Sequence, residues 1–451
     1  LLYAVSEFHR NVEWAWHEAF GSPNFFTASG GYCGAAFHPM NALIDGAFSN
    51  INDFQYCNYW IQIGCGDGFS SHHFLQGTAK LMADARMRGM KLVVVDPVLT
   101  VAASKADEWI PIRPATDRAF VLGMMHILVQ EVGIYDAEFL KKKTNAPYLV
   151  RPDGYFVRDK NKPLIWDSVE GMPRVFDDPT IKDRALEGEY EAEGVRCKPA
   201  FQIFKDILKE HTPEKMAEIT TVPASTIRRI AKEYGEAAQI GSKIVIDGVE
   251  RPFRPAAVNY YRGAQMHKHS LLDNMALKLI NILIGNIDVP GGHLGVPGMM
   301  LGHLYRQVYP IEPGLDGVIA PHPHQLSAPS VFKYPPDSLQ LREIIYLGDM
   351  QGQVALATLM DPKRFGINYE PEVVVTCHCN VVWNMPDTKK IIEVMKKAFV
   401  VCIDIAFNET TQFADIILPD HTYLESYSGP YAQEPPWITG HVVRQPVIDP
   451  L

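Results

Sequence analysis

"KLVVVDPVLTVAASKADEWIP" (residues 91–111) and "FVVCIDIAFNETTQFADIILP" (residues 399–419) are punctuated alike. In each, an apolar, β-branched run ends on an aspartate, Asp96 or Asp404. Ten residues later comes Ala-Asp, then three residues and Pro. The three landmarks move together, from 96 to 404, 106 to 414 and 111 to 419, a constant 308 residues. Working outward, "YWIQIG" (59–64) is a short apolar strand, "GCGDG" (64–68) a glycine loop, and 72–88 carries helical periodicity up to Gly89, a natural C-cap. The second copy offers "VVVT" (373–376) as strand and "CHCNVVWNMP" (377–386) as loop. "DTKKIIEVMKKA" (387–398) follows as a helix with Asp387 at its N-cap. Strand, loop, helix and strand in so short a span make a right-handed βαβ unit of a parallel sheet. Two such units predict an α/β protein of two doubly wound parallel-sheet (αβα) dinucleotide-binding domains related by a pseudo-two-fold axis.

One such unit has a definite chemistry. Main-chain N–H groups at the loop and helix start attract a pyrophosphate, glycines let it approach, and the carboxylate ending the next strand accepts from a ribose or a base edge. For a single copy, "GCGDG" reads equally as a tight turn; the matched second copy favours the nucleotide reading. A nicotinamide dehydrogenase with two such halves would need a G-x-G-x-x-G loop, which neither copy has.

Composition narrows the alternatives. The chain has 451 residues, 47% hydrophobic and 21% charged, enough for two or three domains. Its net charge of −10 disfavours nucleic acid as a partner. No apolar run approaches the roughly 18 residues of a membrane span. Seven scattered cysteines are not a disulfide framework. "CHC" at 377–379 lacks the paired knuckles of a structural zinc site, so none is expected there. The opening "LLYAVSEFHRNVEWAWHEAF" reads as an amphipathic helix, and both ends look like cuts through a larger protein. Trp60, Trp109 and Trp383 read as packing residues.

Three stretches, "ADARMRGMKLVVVDPVLTVAASKADEWIPIRPATDRAFVLGMMHIL" (83–128), "LKLINILIGNIDVPGGHLGVPG" (277–298) and "NETTQFADIILPDHTYLE" (408–425), resemble the molybdopterin oxidoreductases of the dimethyl sulfoxide reductase family. The resemblance covers essentially the whole chain. It implies bis-molybdopterin guanine dinucleotide carrying molybdenum or tungsten, which a duplicated dinucleotide unit would serve. It places Gly64, Cys65, Gly66, Asp67 and Gly68 at the phosphates of one tail, Asp96 near its ribose, and Arg113, Thr116 and Asp117 at its guanine. In the second copy Thr376, Cys377, Cys379 and Asn380 take the loop position, and Asp404 faces the second guanosine with Glu409 and Thr410 behind it. There the sequence departs from the family's Gly-x-Asn-Pro loop, having no glycine. Arg262, Gly263 and Gln265, in "YYRGAQMHKH" (260–269), are implied contacts to pterin or substrate. His267 and His269 read equally as solvated helix-start residues.

"GGYCGAAFHP" (30–39) lies where the family places its metal ligand. Cys33 is then a thiolate on a soft metal rather than a core cysteine. His38 either donates a proton in the active cavity or caps local backbone. Because Gly34 follows Cys33, the Cys-His adjacency of formate dehydrogenases is missing. The implied domains are 25–240, with the ligand segment, and 241–430 with helix 1–24. Residues 431–451 start a connection to further parts.

The resemblance further implies a catalytic subunit reducing a small sulfur compound or oxyanion in anaerobic respiration, closest in appearance to thiosulfate and polysulfide reductases. A 4Fe–4S cluster is expected in an N-terminal part outside this chain. An iron–sulfur electron-transfer subunit, a membrane anchor and a periplasmic or membrane-associated location are also expected. The alternatives are a cofactor-free relative serving as a structural subunit of a membrane complex, and an acetylene hydratase-like or formate dehydrogenase-like member.

Overall fold

The computed structural model describes residues 2–5, 25–27, 49–66, 68–69, 78–160, 162–267, 269–296, 361–365, 370–385, 387–433 and 440–450, with single residues 20, 37, 40, 41 and 44. The chain divides into two compact units, Asn50–Gly295 and Leu1–Ser49 with Val296–Leu451. The elements that matter are, in chain order, β1 (Leu2–Val5), β2 (Phe25–Thr27), β3 (Tyr59–Ile63), α1 (Thr78–Met87), β4 (Lys91–Val95), β5 (Glu108–Ile110), α2 (Asp117–His126), β6 (Ala256–Tyr260), α3 (Ser270–Leu283), β7 (Val373–Cys377), α4 (Thr388–Lys397), β8 (Phe399–Asp404) and β9 (Ile416–Pro419).

In the unit 50–295 the sheet order is β6-β3-β4-β5, all parallel. Strands of a parallel sheet are covered on both faces, which is why they read as unbroken apolar runs. β3 is buried along its whole length. Trp60, Leu92 and Val94 meet Met82 and Ala85 of α1 in one apolar cluster. α1 ends as its glycine predicts: Gly89 has φ 98°, and the N–H groups of Gly89 and Met90 reach back to the carbonyls of Arg86 and Ala85.

β6 is an edge strand closed by side chains rather than by another strand. Asn281 of α3 accepts the Val258 N–H at 3.0 Å and donates to the Val258 carbonyl at 2.8 Å, and Asn286 donates to the Ala256 carbonyl at 2.7 Å. Within "INILIGN" the two amides thus satisfy a buried sheet edge. Residues 149–199 add small antiparallel sheets of their own.

The other unit carries a second parallel sheet, ordered β9-β8-β7-β1-β2. Val374, Val400 and Cys402 face Ile391 and Met395 of α4 in its apolar cluster. Equivalent positions of the two motifs pair alike: Val93 with Glu108 in one sheet and Val401 with Ile416 in the other. The Ala-Asp of each motif has a shared task. Asp107 accepts the Leu92 N–H on its carboxylate at 2.7 Å and donates its own N–H to the Leu92 carbonyl at 2.9 Å. Asp415 does the same to Val400, at 2.8 Å in both bonds. Each aspartate clamps the start of its unit's second strand. Replacing Asp107 or Asp415 by Ala is expected to cost about 1–2 kcal/mol and to speed amide exchange at Leu92 or Val400. Unchanged exchange in native-state hydrogen exchange would dismiss the clamp.

Several expectations are corrected here. The chain opens on a strand, not a helix: Leu2–Val5 pairs with Val374–Cys377, because four apolar residues suffice to fill a place in a buried parallel sheet. The unit 50–295 includes β6, which pairs with β3 as the edge of its sheet. Asp387 is the N-cap of α4, as expected, but at φ 62° its carboxylate makes no capping hydrogen bond and lies 3.5 Å from Lys390 Nζ. Among the described residues no helix is long and apolar enough to cross a membrane.

Candidate functional site

In a parallel sheet, loops at the carboxyl ends of adjacent strands share one edge, where α/β proteins place ligands. In the unit 50–295 that edge gathers most of the expected residues. The glycine loop leaves β3 with the Gly64 N–H on the Val95 carbonyl at 3.1 Å. Gln62, buried beneath it, donates to the Cys65 carbonyl at 2.7 Å. The "YRGAQ" turn leaves β6 alongside, and the Gly263 N–H donates to the Gly64 carbonyl at 2.8 Å. These two backbones touch. A Cβ on Gly64 would lie 2.6 Å from the Ala264 nitrogen, and one on Gly263 2.6 Å from the Gly64 oxygen. Gly64, Cys65 and Gly66 are therefore joined to Arg262, Gly263 and Gln265. Arg262 is exposed, with its guanidinium 5.5 Å from the Tyr261 ring centre, while Gln265 is buried. Gly68 has φ 75° and sits against Met82.

Asp96 follows β4, with one oxygen accepting the Val98 N–H at 3.0 Å. Burial raises its proton affinity, opposed by that N–H. Arg113, Thr116 and Asp117 form the turn into α2: Arg113 is exposed, Thr116 donates its hydroxyl to the Arg113 carbonyl at 2.6 Å, and Asp117 is 5% exposed. Burial pushes the Asp117 carboxyl up to about 6; its own main-chain N–H and His267 oppose this, and Asp273 and Asp96 reinforce it. Asp273, itself raised by burial, lies 2.9 Å from His267 Nε2 and 3.4 Å from Arg118 Nη1. That ties the "QMHKH" segment to the start of α2. His269 is an exposed N-cap of α3.

The corresponding edge in the other unit is built differently. Thr376 is buried and donates its hydroxyl to Cys402 Sγ at 3.2 Å. His378, in a loop without glycine, carries a positive φ, 51°, of the kind glycine adopts most easily. Cys379 belongs to the apolar cluster. Asn380 accepts the Trp383 N–H at 3.3 Å and the Thr410 hydroxyl at 2.8 Å, and donates to Glu409 at 2.6 Å. Asp404 accepts from the Ile405 N–H and the Asn408 amide, each at 2.8 Å. Thr410 also accepts the Val382 N–H at 3.0 Å. This loop is thus braced by its own side chains. Trp60 is fully buried and Trp109 half-buried with its indole N–H on the Asp96 carbonyl, but Trp383 is 73% exposed and is no packing residue.

Cys33, His38 and Asp67 lie outside the described residues. The sequence reading missed Asp273, whose signal was an acid on the apolar side of a helix start. It also missed Lys278, a fully buried lysine bonded to Asn50, marked by a cation inside "MALKLINIL".

The family model for molybdopterin oxidoreductase matches residues 71–431. The chain belongs to the molybdopterin oxidoreductase family. It is similar to a sulfite dehydrogenase subunit of Allochromatium vinosum, 27% identical over 90% of this chain and 46% of that protein. A selenate reductase subunit of Mesobacillus selenatarsenatis is 28% identical over 80% of this chain and 36% of its own. The thiosulfate reductase molybdopterin-containing subunit of Salmonella typhimurium is 25% identical, over 96% and 46%. The chain therefore spans less than half the length of these relatives. Acetylene hydratase from Pelobacter acetylenicus shares the fold, with a TM-score of 0.63 at 20% identity, over 100% of this chain and 52% of that structure. The family implies a molybdopterin cofactor.

The residues present fit such a group unequally. In the unit 50–295 Gly64 and Gly263 let two loop backbones touch, the space of each absent Cβ being taken by the other loop. At the start of α2 the buried Asp117 carboxylate, whose proton affinity burial has raised, suits a paired N–H donor such as the edge of a guanine. In the other unit Asp404 and Asn380 already hold protein partners, so a nucleotide there would share them.

Proposed function

We propose that this chain is the central part of a catalytic subunit that binds bis-molybdopterin guanine dinucleotide with molybdenum or tungsten, one guanine tail in each unit. The carrying observation is the buried Asp117 carboxylate at the start of α2, within electrostatic reach of Asp96 and of His267 in the segment that follows the Gly64–Gly263 contact. The pseudo-two-fold relation of the two units belongs to this reading, supported by the matched strand registers and aspartate clamps. When bound, the metal dithiolene group supplies two-electron redox chemistry. The chain's own residues do the holding: Gly64, Gly66 and Gly263 admit the phosphates and pterin to the main chain, Asp96 accepts from a ribose, and Asp117 accepts from the guanine edge. In the second unit Asp404 and the Thr376–Asn380 loop take the corresponding part. Cys33 supplies a thiolate to the metal, and Arg262 orients substrate. His38, in the same reading, donates a proton.

The substrate is a small sulfur compound or oxyanion, in keeping with relatives named for sulfite, selenate and thiosulfate. A 4Fe–4S cluster outside this chain, an iron–sulfur partner subunit, a membrane anchor and a periplasmic or membrane-associated location complete the reading. The test is full-length protein assayed for molybdenum or tungsten and for guanine nucleotide released on acid treatment. One metal and two guanines per chain are expected. X-ray absorption should count one metal–sulfur bond fewer in Cys33→Ala. Intact protein without metal or guanine, or an unchanged count, would refute the reading.

A further inference from the structure

We propose that Cys377, His378 and Asp420 form a binding site for a thiophilic divalent cation of the zinc type. Their ligand atoms all lie within 4.8 Å of one another. Cys377 ends β7, Asp420 follows β9, and β8 runs between them in the sheet. The site is pinned from that middle strand: the His378 N–H donates to the Ile403 carbonyl at 2.9 Å and the Asp420 N–H to the Asp404 carbonyl at 3.1 Å. Two consecutive carbonyls of one strand thus fix both ligand segments before any ion arrives. Asp420 Oδ1 accepts the His421 N–H at 2.7 Å, and its Oδ2 lies 2.5 Å from His378 Nε2.

The donor set suits the ion. A thiolate, a neutral imidazole and a carboxylate carry two negative charges, so a divalent cation leaves the cluster neutral, the condition under which a buried sulfur such as Cys377 tolerates charge nearby. Binding would release the Cys377 thiol proton to solvent, move the His378 ring proton from Nε2 to Nδ1, and replace the His378–Asp420 hydrogen bond by two metal bonds. Tetrahedral ligands sit farther apart than hydrogen-bonded atoms, so the ring and carboxylate must part by roughly 1 Å. Both are placed to do so, with side chains 15% and 36% exposed. Cys379 is not a fourth ligand, because it is packed in the apolar cluster. A water molecule would take the fourth position. His378 is also held at φ 51°, a conformation that costs a non-glycine residue energy and that directs its ring toward the other two ligands. The sequence expectation of no zinc at "CHC" rested on missing knuckles. The third ligand instead arrives 42 residues away, from the far side of a strand.

The experiment uses full-length protein freed of adventitious metal with a chelator and titrated with cobalt(II), then zinc(II). A thiolate-to-cobalt charge-transfer band saturating at one cobalt per chain, and bleached by zinc, is expected. Cys377→Ser should abolish the band. His378→Asn, chosen because asparagine tolerates positive φ, and Asp420→Asn should each weaken cobalt binding about 100-fold or more, since even outer-sphere losses cost 10–100-fold. Should the serine variant misfold, the partly exposed Asp420→Asn carries the test alone. No stoichiometric band, a band that survives Cys377→Ser, or undiminished affinity in Asp420→Asn would overturn the proposal. Cys377 and His378 belong to the loop that the molybdopterin reading gives to the second nucleotide, so guanine is counted on the same samples: cobalt saturation is expected with guanine content unchanged, and loss of guanine with the band intact would count against that reading alone.

Discussion

Asp117→Asn is expected to stabilise the cofactor-free protein while impairing its retention of guanine nucleotide. Burial raises the Asp117 carboxyl from its ordinary 3.8 to about 6. Between those values the folded state binds more protons than the unfolded one, so stability falls as pH rises through the window, and the cost is complete above it. A displacement of that size corresponds to at most about 3 kcal/mol. Asparagine carries no such cost: the variant should lose the slope between pH 4 and 6 and gain about 1–3 kcal/mol at neutral pH. Guanine's N1–H and amino group would lose a charged, two-oxygen acceptor. A hydrogen bond to a charged group is worth roughly 1.5–3 kcal/mol, so guanine retention should weaken about ten- to a hundred-fold. Urea midpoints across the pH range and nucleotide content of the purified variant are the measurements. A slope identical in both proteins would reject the buried-carboxylate account, and wild-type guanine content would reject its role.

The largest stability loss is expected at Asn281, a neutral side chain. Its oxygen accepts from the Val258 N–H, the Asn286 amide and the Tyr234 hydroxyl at 3.0, 3.0 and 3.2 Å, and its amide donates to the Val258 and Leu277 carbonyls at 2.8 and 3.2 Å. Asn281→Leu keeps the volume but strands the N–H and C=O of a buried edge strand. Each orphaned group costs about 1–3 kcal/mol, so a loss of about 3–5 kcal/mol is expected. Tyr234→Phe removes a single bond and should cost only about 1 kcal/mol. Denaturant unfolding followed by tryptophan fluorescence reads both. A leucine variant within about 1 kcal/mol of the parent would show that the edge of β6 is satisfied some other way.

What the sequence determined by itself was whatever neighbours in the chain encode. The apolar runs of β3, β4, β7 and β8 announced strands, Gly89 announced its cap, and the paired Asp and Ala-Asp landmarks announced two motifs whose strands pair at equivalent positions. The family resemblance followed from the same local patterns. The rest depended on residues that meet only across the sheet. "LYAV" became a strand because β7 offered an open edge, which no helical periodicity could reveal. Asp107 and Asp415 were visible as a motif, but their role as clamps needed the partner strand's N–H. Asp117 was expected at a guanine by resemblance alone, whereas its raised proton affinity comes from burial and from Asp273, 156 residues further on. His378 gave no sign in sequence that it would stand in a glycine's conformation and face Asp420. Chain neighbours fix backbone preference through sterics and periodicity. Only the closed sheet fixes which distant side chains share an edge, because strand order and register, not sequence separation, set that distance.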